Sequence, residues 1–146
     1  MKRYIWILLI PLLCSSFSSA EEVKWLEWNE AQELSEAQDK PIMVFVYASW
    51  CHICNRMDTK VFTDEEVAAL LNENYIPVKF DAEFEGELKM DGHSYTSMEL
   101  LAELTDNQFR GIPSYLFISN TPGTKIRLEA GLKDPAEMRA LLEEIQ

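Results

Sequence analysis

The sequence predicts an α/β domain, a mixed central sheet flanked by helices in the order β-α-β-α-β-α-β-β-α, and three observations carry that prediction. Short apolar runs alternate with segments whose apolar residues recur at helical spacing. The run Ile42 to Tyr47 is continuously apolar and rich in β-branched and aromatic side chains, the pattern of a strand covered on both faces. Two late runs lie close enough across Asn120-Thr121-Pro122-Gly123 to pair antiparallel. No repeat, low-complexity tract or Ser/Gly linker divides the chain into parts.

The elements follow in order. Val23 to Glu27 is a first short strand. Asn29 stands as a helix N-cap with Gln32 three residues on, and Ala31, Leu34 and Ala37 give that helix its apolar face. Lys40-Pro41 ends it, because a residue before proline is pushed out of the helical region. After the strand Ile42 to Tyr47 a helical stretch begins at Cys51, and Thr63-Asp64-Glu65-Glu66 forms a capping box for a further segment with Val67, Leu70 and Leu71 on one face. Ile76 to Phe80 is a strand, with Pro77 tolerable near its start. Asp81 to Gly92 reads as an exposed acidic loop lacking the ligand spacing of a calcium site. Met98 to Leu104 is a short helix, and Tyr115 to Ser119 and Ile126 to Ala130 are the last two strands. Asp134-Pro135-Ala136-Glu137 places an N-cap, a proline at the first helical position and an acidic third position ahead of a helix reaching Ile145.

The chain has 146 residues, 47% of them hydrophobic, which is too many for a disordered acidic tail and enough for one small domain. Its formal net charge of −12, with no Lys/Arg-rich run beyond Lys2-Arg3, disfavours a nucleic-acid partner and an anionic membrane surface. Residues 1–20 read as a secretory signal peptide: a cationic start, an apolar stretch from Tyr4 to Leu13, and a small polar region ending Ser18-Ser19-Ala20. The apolar stretch is interrupted by Pro11 and is too short to span a bilayer. Leu12-Leu13 ahead of Cys14 lacks the small residue of a lipidation site. Cleavage after Ala20 leaves residues 21–146 as the domain, periplasmic or secreted, monomeric and without stable membrane insertion. It also removes Lys2 and Arg3, taking the charge from −12 to −14, and leaves two cysteines, Cys51 and Cys54.

Paired cysteines in an exported protein ordinarily form structural disulfides. This pair closes a loop of only four residues, for which chain entropy gives about 2 kcal/mol against about 4.7 for a hundred-residue loop. The spacing suits chemistry better than stapling. Cys51 falls where a buried strand hands over to a helix, so unsatisfied backbone N–H groups and the helix dipole stabilise its thiolate. Cys51 is expected to be the exposed nucleophile, and Cys54, one turn on, the more buried resolving thiol. An imidazolium at His52 would favour the thiolate further, and Trp50 either shields the pair and meets substrate or packs on the sheet. The alternative is a metal-binding module or metallochaperone in which Cys51, Cys54 and His52 or His93 hold zinc or copper(I). A third reading is a partner-binding domain whose disulfide is only structural.

The element order, Tyr47-Ala48-Ser49-Trp50-Cys51-His52-Ile53-Cys54 after a buried strand, and Gly111-Ile112-Pro113 directly before the strand Ser114 to Ser119 together resemble the thioredoxin superfamily over nearly all of residues 21–146. The resemblance implies that Pro113 is cis and faces the cysteine pair. It also implies that the backbone of Ile112 pairs with an extended substrate segment, and that protein disulfides or thiols are exchanged without a cofactor. Tyr47-Ala48-Ser49-Trp50-Cys51 and Met57 to Val67 are most similar to exported thioredoxin-like domains, including the C-terminal periplasmic domain of the bacterial membrane thiol-disulfide transporter. That implies a reductase supplied by a membrane or soluble thiol donor. Three positions depart from cytosolic thioredoxins: His52-Ile53 replaces Gly-Pro between the cysteines, and Phe45 replaces a buried carboxylate. Proton transfer from Cys54 then falls to water or another group.

Overall fold

The computed structural model describes residues 21–121, 124 and 126–145. Its elements are α1 (Trp28–Gln38), β1 (Ile42–Tyr47), α2 (His52–Arg56) continued by a π-helical turn (Met57–Val61), α3 (Glu65–Asn74), β2 (Ile76–Asp81), β3 (Leu88–Met90), β4 (His93–Tyr95), α4 (Ser97–Leu104), β5 (Ser114–Ile118), β6 (Arg127–Ala130) and α5 (Pro135–Glu144). The main sheet runs β2-β1-β5-β6, with β1 parallel to β2 and the other two pairs antiparallel. It is the mixed sheet with flanking helices that the alternation of elements predicts.

Strand β1 shows why no polar period appears in its sequence. Met43 and Phe45 join a core with Met57, Val61, Leu71 and Met138 on one face, while Ile42, Val44 and Val46 join Trp28, Ala31, Leu100 and Leu101 on the other. Adjacent residues point to opposite faces of a strand, and both faces are covered by helices.

Four local expectations are corrected. The strand Val23 to Glu27 reduces to one bridge, Leu26 beside Val78, held by the Leu26 N–H donating to Pro77 O at 2.9 Å and the Leu26 carbonyl accepting from Lys79 N–H at 3.2 Å. Within the segment the Trp25 N–H donates to Val23 O at 3.0 Å, a tight local turn in place of continued pairing with β2. The N-cap of α1 is Glu27, not Asn29. The Asn29 amide is engaged elsewhere, accepting from Lys89 N–H and donating to Glu87 O, so α1 is tied to β3 rather than capped locally. At α3 the cap is Asp64, which accepts from Val67 N–H, while the Thr63 hydroxyl donates back to Thr59 O. The acidic segment is not loop throughout. Met90 pairs with His93 across Asp91-Gly92, whose φ values of 50° and 77° make the two-residue turn of a β-hairpin.

Among the described residues no helix is long and apolar enough to cross a membrane. The expected signal peptide, with Cys14, lies outside the described residues, as do Pro122 and Gly123 of the turn between β5 and β6.

Candidate active site

The strand directions bring four chain segments to one end of the sheet. Strands β1 and β2 run parallel and finish there at Tyr47 and Asp81, which are register partners. The Ala82 N–H then donates to Tyr47 O at 2.8 Å. Strand β5 runs the other way and starts there, its Ser114 opposite Val46 of β1 and Ala130 of β6. Continuing that register by one pair sets Pro113 beside Tyr47, four residues before Cys51. The Gly131 N–H, just past β6, donates to Pro113 O at 2.9 Å.

Cys51 and Cys54 are joined by a disulfide with Cα atoms 5.2 Å apart. Cys51 is the N-cap of α2, and its Sγ accepts the Cys54 N–H at 3.1 Å. That hydrogen bond satisfies one of the orphan donors of the first turn and places a positive dipole end against the sulfur. The expectation of an exposed Cys51 needs correction: it is 7% exposed and Cys54 2%. Both sulfurs pack in the core with Met57, Phe62 and Tyr115, and Ile112 packs against the same cluster, so the accessible edge of the pair is narrow.

The other expected residues are distributed as follows. Trp50 is 63% exposed and does not pack on the sheet, since its indole N–H donates to Glu83 Oε1 at 2.9 Å. His52, the first residue of α2, is exposed and makes no side-chain hydrogen bond among the described residues. The Ile112–Pro113 bond is cis, Pro113 is buried and Ile112 half-buried. His93 lies on β4, its ring Nδ1 3.0 Å from Asp91 O, and no group of three His, Cys, Asp or Glu side chains able to hold a metal is found among the described residues.

Beneath the disulfide, where a carboxylate would stand in cytosolic thioredoxins, Phe45 is stacked between Tyr47 and Tyr115 with ring centroids 5.9 Å away on each side. The charged groups lie beside this column. Lys79 of β2 is ion-paired and hydrogen-bonded to Asp58, and its Nζ sits 5.0 Å over the Tyr47 ring. The Tyr47 phenol is held above its ordinary range, first by burial and then by the negative charges of Asp81, Glu27 and Asp58. Tyr115 is buried deeper, donates its hydroxyl to Gly131 O at 3.0 Å, and is pushed up by desolvation. Sequence reasoning singled out neither Glu83 nor the Lys79–Asp58 pair. A lysine within the otherwise apolar Ile76-Pro77-Val78-Lys79-Phe80 is the signal that points to a buried-side partner, and Asp58, one turn after Cys54, supplies it.

The chain is similar in sequence and in fold to known proteins. A 62-residue segment is 40% identical to Spermatogenesis-associated protein 20 of Rattus norvegicus, covering 42% of this chain and 8% of that protein. A 112-residue segment is 28% identical to Thiol:disulfide interchange protein DsbD of Yersinia enterocolitica, covering 72% of this chain and 17% of that one. The chain thus spans a small part of the length of these relatives. A thioredoxin from Thermus thermophilus superposes with a TM-score of 0.63 at 21% identity, over 87% of this chain and 88% of that one, a likeness of fold. Residues 15–118, well over half of the chain, match the family model described as "Thioredox_DsbH: Protein of unknown function, DUF255", and the chain belongs to that thioredoxin-like family.

Proposed function

We propose that the protein is an exported thiol-disulfide oxidoreductase that reduces protein disulfides through Cys51 and Cys54. The observation that carries this is the pair itself: a four-residue disulfide whose N-terminal sulfur caps a helix and accepts the Cys54 N–H, at a sheet end shared with the Ile112–Pro113 segment. The similarity to a protein named for thiol-disulfide interchange supports it.

In the reduced protein the Cys51 thiolate attacks one sulfur of a substrate disulfide. A Cys51–substrate bond forms, the substrate S–S bond breaks, and the departing sulfur leaves as a thiolate that takes a proton from water. Cys54, deprotonated in turn, attacks Cys51 Sγ, closing Cys51–Cys54 and releasing the second substrate thiol. The substrate gains two electrons and the protein loses two. A membrane or soluble thiol donor restores the dithiol by the reverse exchange. Ile112 offers its backbone to an extended substrate segment, Pro113 shapes the floor beside the pair, and Trp50 forms the rim. No cofactor enters these steps. The leader-like residues 1–20 support delivery to the periplasm or outside the cell, where the domain acts as a monomer.

The test is disulfide reduction of insulin by the pre-reduced protein. Cys51→Ser abolishes turnover, and Cys54→Ser accumulates a mixed disulfide that reducing agent releases. Unchanged turnover in Cys51→Ser would overturn the proposal.

A further inference from the structure

Trp50 immediately precedes Cys51 and is 63% exposed, although a side chain of this size ordinarily gains by burial. Its one polar atom fixes where the ring lies. The indole N–H donates to Glu83 Oε1 at 2.9 Å, and Glu83 stands in the segment that follows β2. In the sheet order β2-β1-β5-β6 the disulfide follows β1, whereas Ile112 and the cis Pro113 precede β5, on the other side of β1 from β2. The hydrogen bond therefore ties the ring to the β2 side, across Cys51 from the Ile112–Pro113 segment.

The backbone at Glu83 is itself held. Its N–H donates to Asp81 Oδ1 at 2.9 Å, closing an Asx turn, and the Phe84 N–H donates to Asp81 O at 3.2 Å. The Ala82 N–H donates to Tyr47 O, and the hydroxyl of the buried Ser97, at the start of α4, donates to Phe84 O at 2.8 Å. The segment is thus fastened to β1, β2 and α4 on both sides of Glu83. The carboxylate, by contrast, supports nothing else. Glu83 is exposed, and among the described residues its side chain enters no ion pair and no hydrogen bond but the one to the indole. A charged acceptor on a fixed turn is a strong tether for an otherwise free ring. Cys51 is 7% exposed, an opening narrow enough for one indole to cover.

We propose that Glu83 is a positioning residue that holds the Trp50 ring aside and so keeps the path to Cys51 Sγ open. Released from the carboxylate, the ring loses its one protein partner. The apolar surface next to it is the edge of the disulfide and the exposed side chain of Ile53. Settling there removes apolar area from water and closes the opening. A covered pair is slowed in attack and in the reverse exchange alike, so access changes while the redox equilibrium does not. The proposal rests on the oxidoreductase reading above and adds to it a residue that touches no reacting atom.

Two neutral replacements separate the hydrogen bond from the charge: Glu83→Gln keeps an acceptor for the indole, and Glu83→Ala removes it. With the pre-reduced full chain and hydroxyethyl disulfide, an uncharged probe, Glu83→Ala exchanges about fivefold more slowly than Glu83→Gln, the factor one net hydrogen bond supplies. The two variants share one reduction potential against glutathione. When Trp50→Ala is added to each, the difference in rate vanishes, because no ring is left to cover the sulfur. Isotope-labelled protein reports the ring without any exchange. The indole N–H resonance absent from Trp50→Phe becomes that of a free indole in Glu83→Ala and remains hydrogen-bonded in Glu83→Gln. Equal rates for the two Glu83 variants, unequal potentials, a difference that persists without Trp50, or an indole resonance indifferent to Glu83→Ala overturns the positioning role alone. Absence of exchange in the unsubstituted protein overturns the oxidoreductase reading and the positioning role with it, so the two failures are told apart by the rate before any substitution.

Discussion

Tyr47 is the residue through which the charges around the disulfide can be measured. Its ring stacks on Phe45 and carries Lys79 above it, while its hydroxyl is held protonated by burial and by Asp81, Glu27 and Asp58. Replacing Asp81 with Asn removes a negative neighbour, so the phenolate becomes easier to form and the Tyr47 titration moves down toward the ordinary value of 10.0. Difference absorbance between the Asp81→Asn protein and its Tyr47→Phe derivative checks the direction. At this scale the two cysteines were legible from spacing alone, because only two residues separate them after a strand-like run. The burial of Cys51 was not, since it depends on Tyr115 arriving from β5 to complete the core that Met57 and Phe62 begin. Glu83 was missed for a related reason: a carboxylate in an acidic segment gives no sign that its partner is an indole 33 residues earlier.

At the scale of elements, legibility followed the range of the interactions involved. The capping residues Asp134 and Glu137 act within one turn and were read from their spacing, and the covered strand β1 announced itself by losing its polar period. Asn29 has the sequence context of an N-cap, yet its amide partners are Lys89 and Glu87, about sixty residues away. The β3–β4 hairpin was legible in principle, because Asp-Gly suits a turn with positive φ at both positions; the surrounding acidity concealed it. Asn29→Ala removes both hydrogen bonds between α1 and β3. The expected loss is about 1 kcal/mol of stability, read by urea unfolding, with faster amide exchange at Lys89. Unaltered Lys89 protection would show that the hairpin is held by other contacts.

For the whole molecule, the core ties the site to overall stability. Tyr47, Tyr75 and Tyr115 all have their phenols raised, each chiefly by burial. A group with a higher pKa folded than unfolded contributes stability that is complete below the unfolded value and lost as pH rises through the folded one. Unfolding free energy should therefore fall as pH rises above about 10, with Tyr115→Phe flattening the decline. Urea titrations at a series of alkaline pH values check this.

The redox equilibrium of Cys51–Cys54 with glutathione decides whether the pair is a reaction centre or a staple. A pair that exchanges electrons with substrates has a reduction potential above about −300 mV and reaches equilibrium readily, whereas a potential below that figure with slow exchange would mark the disulfide as structural and rule out the oxidoreductase.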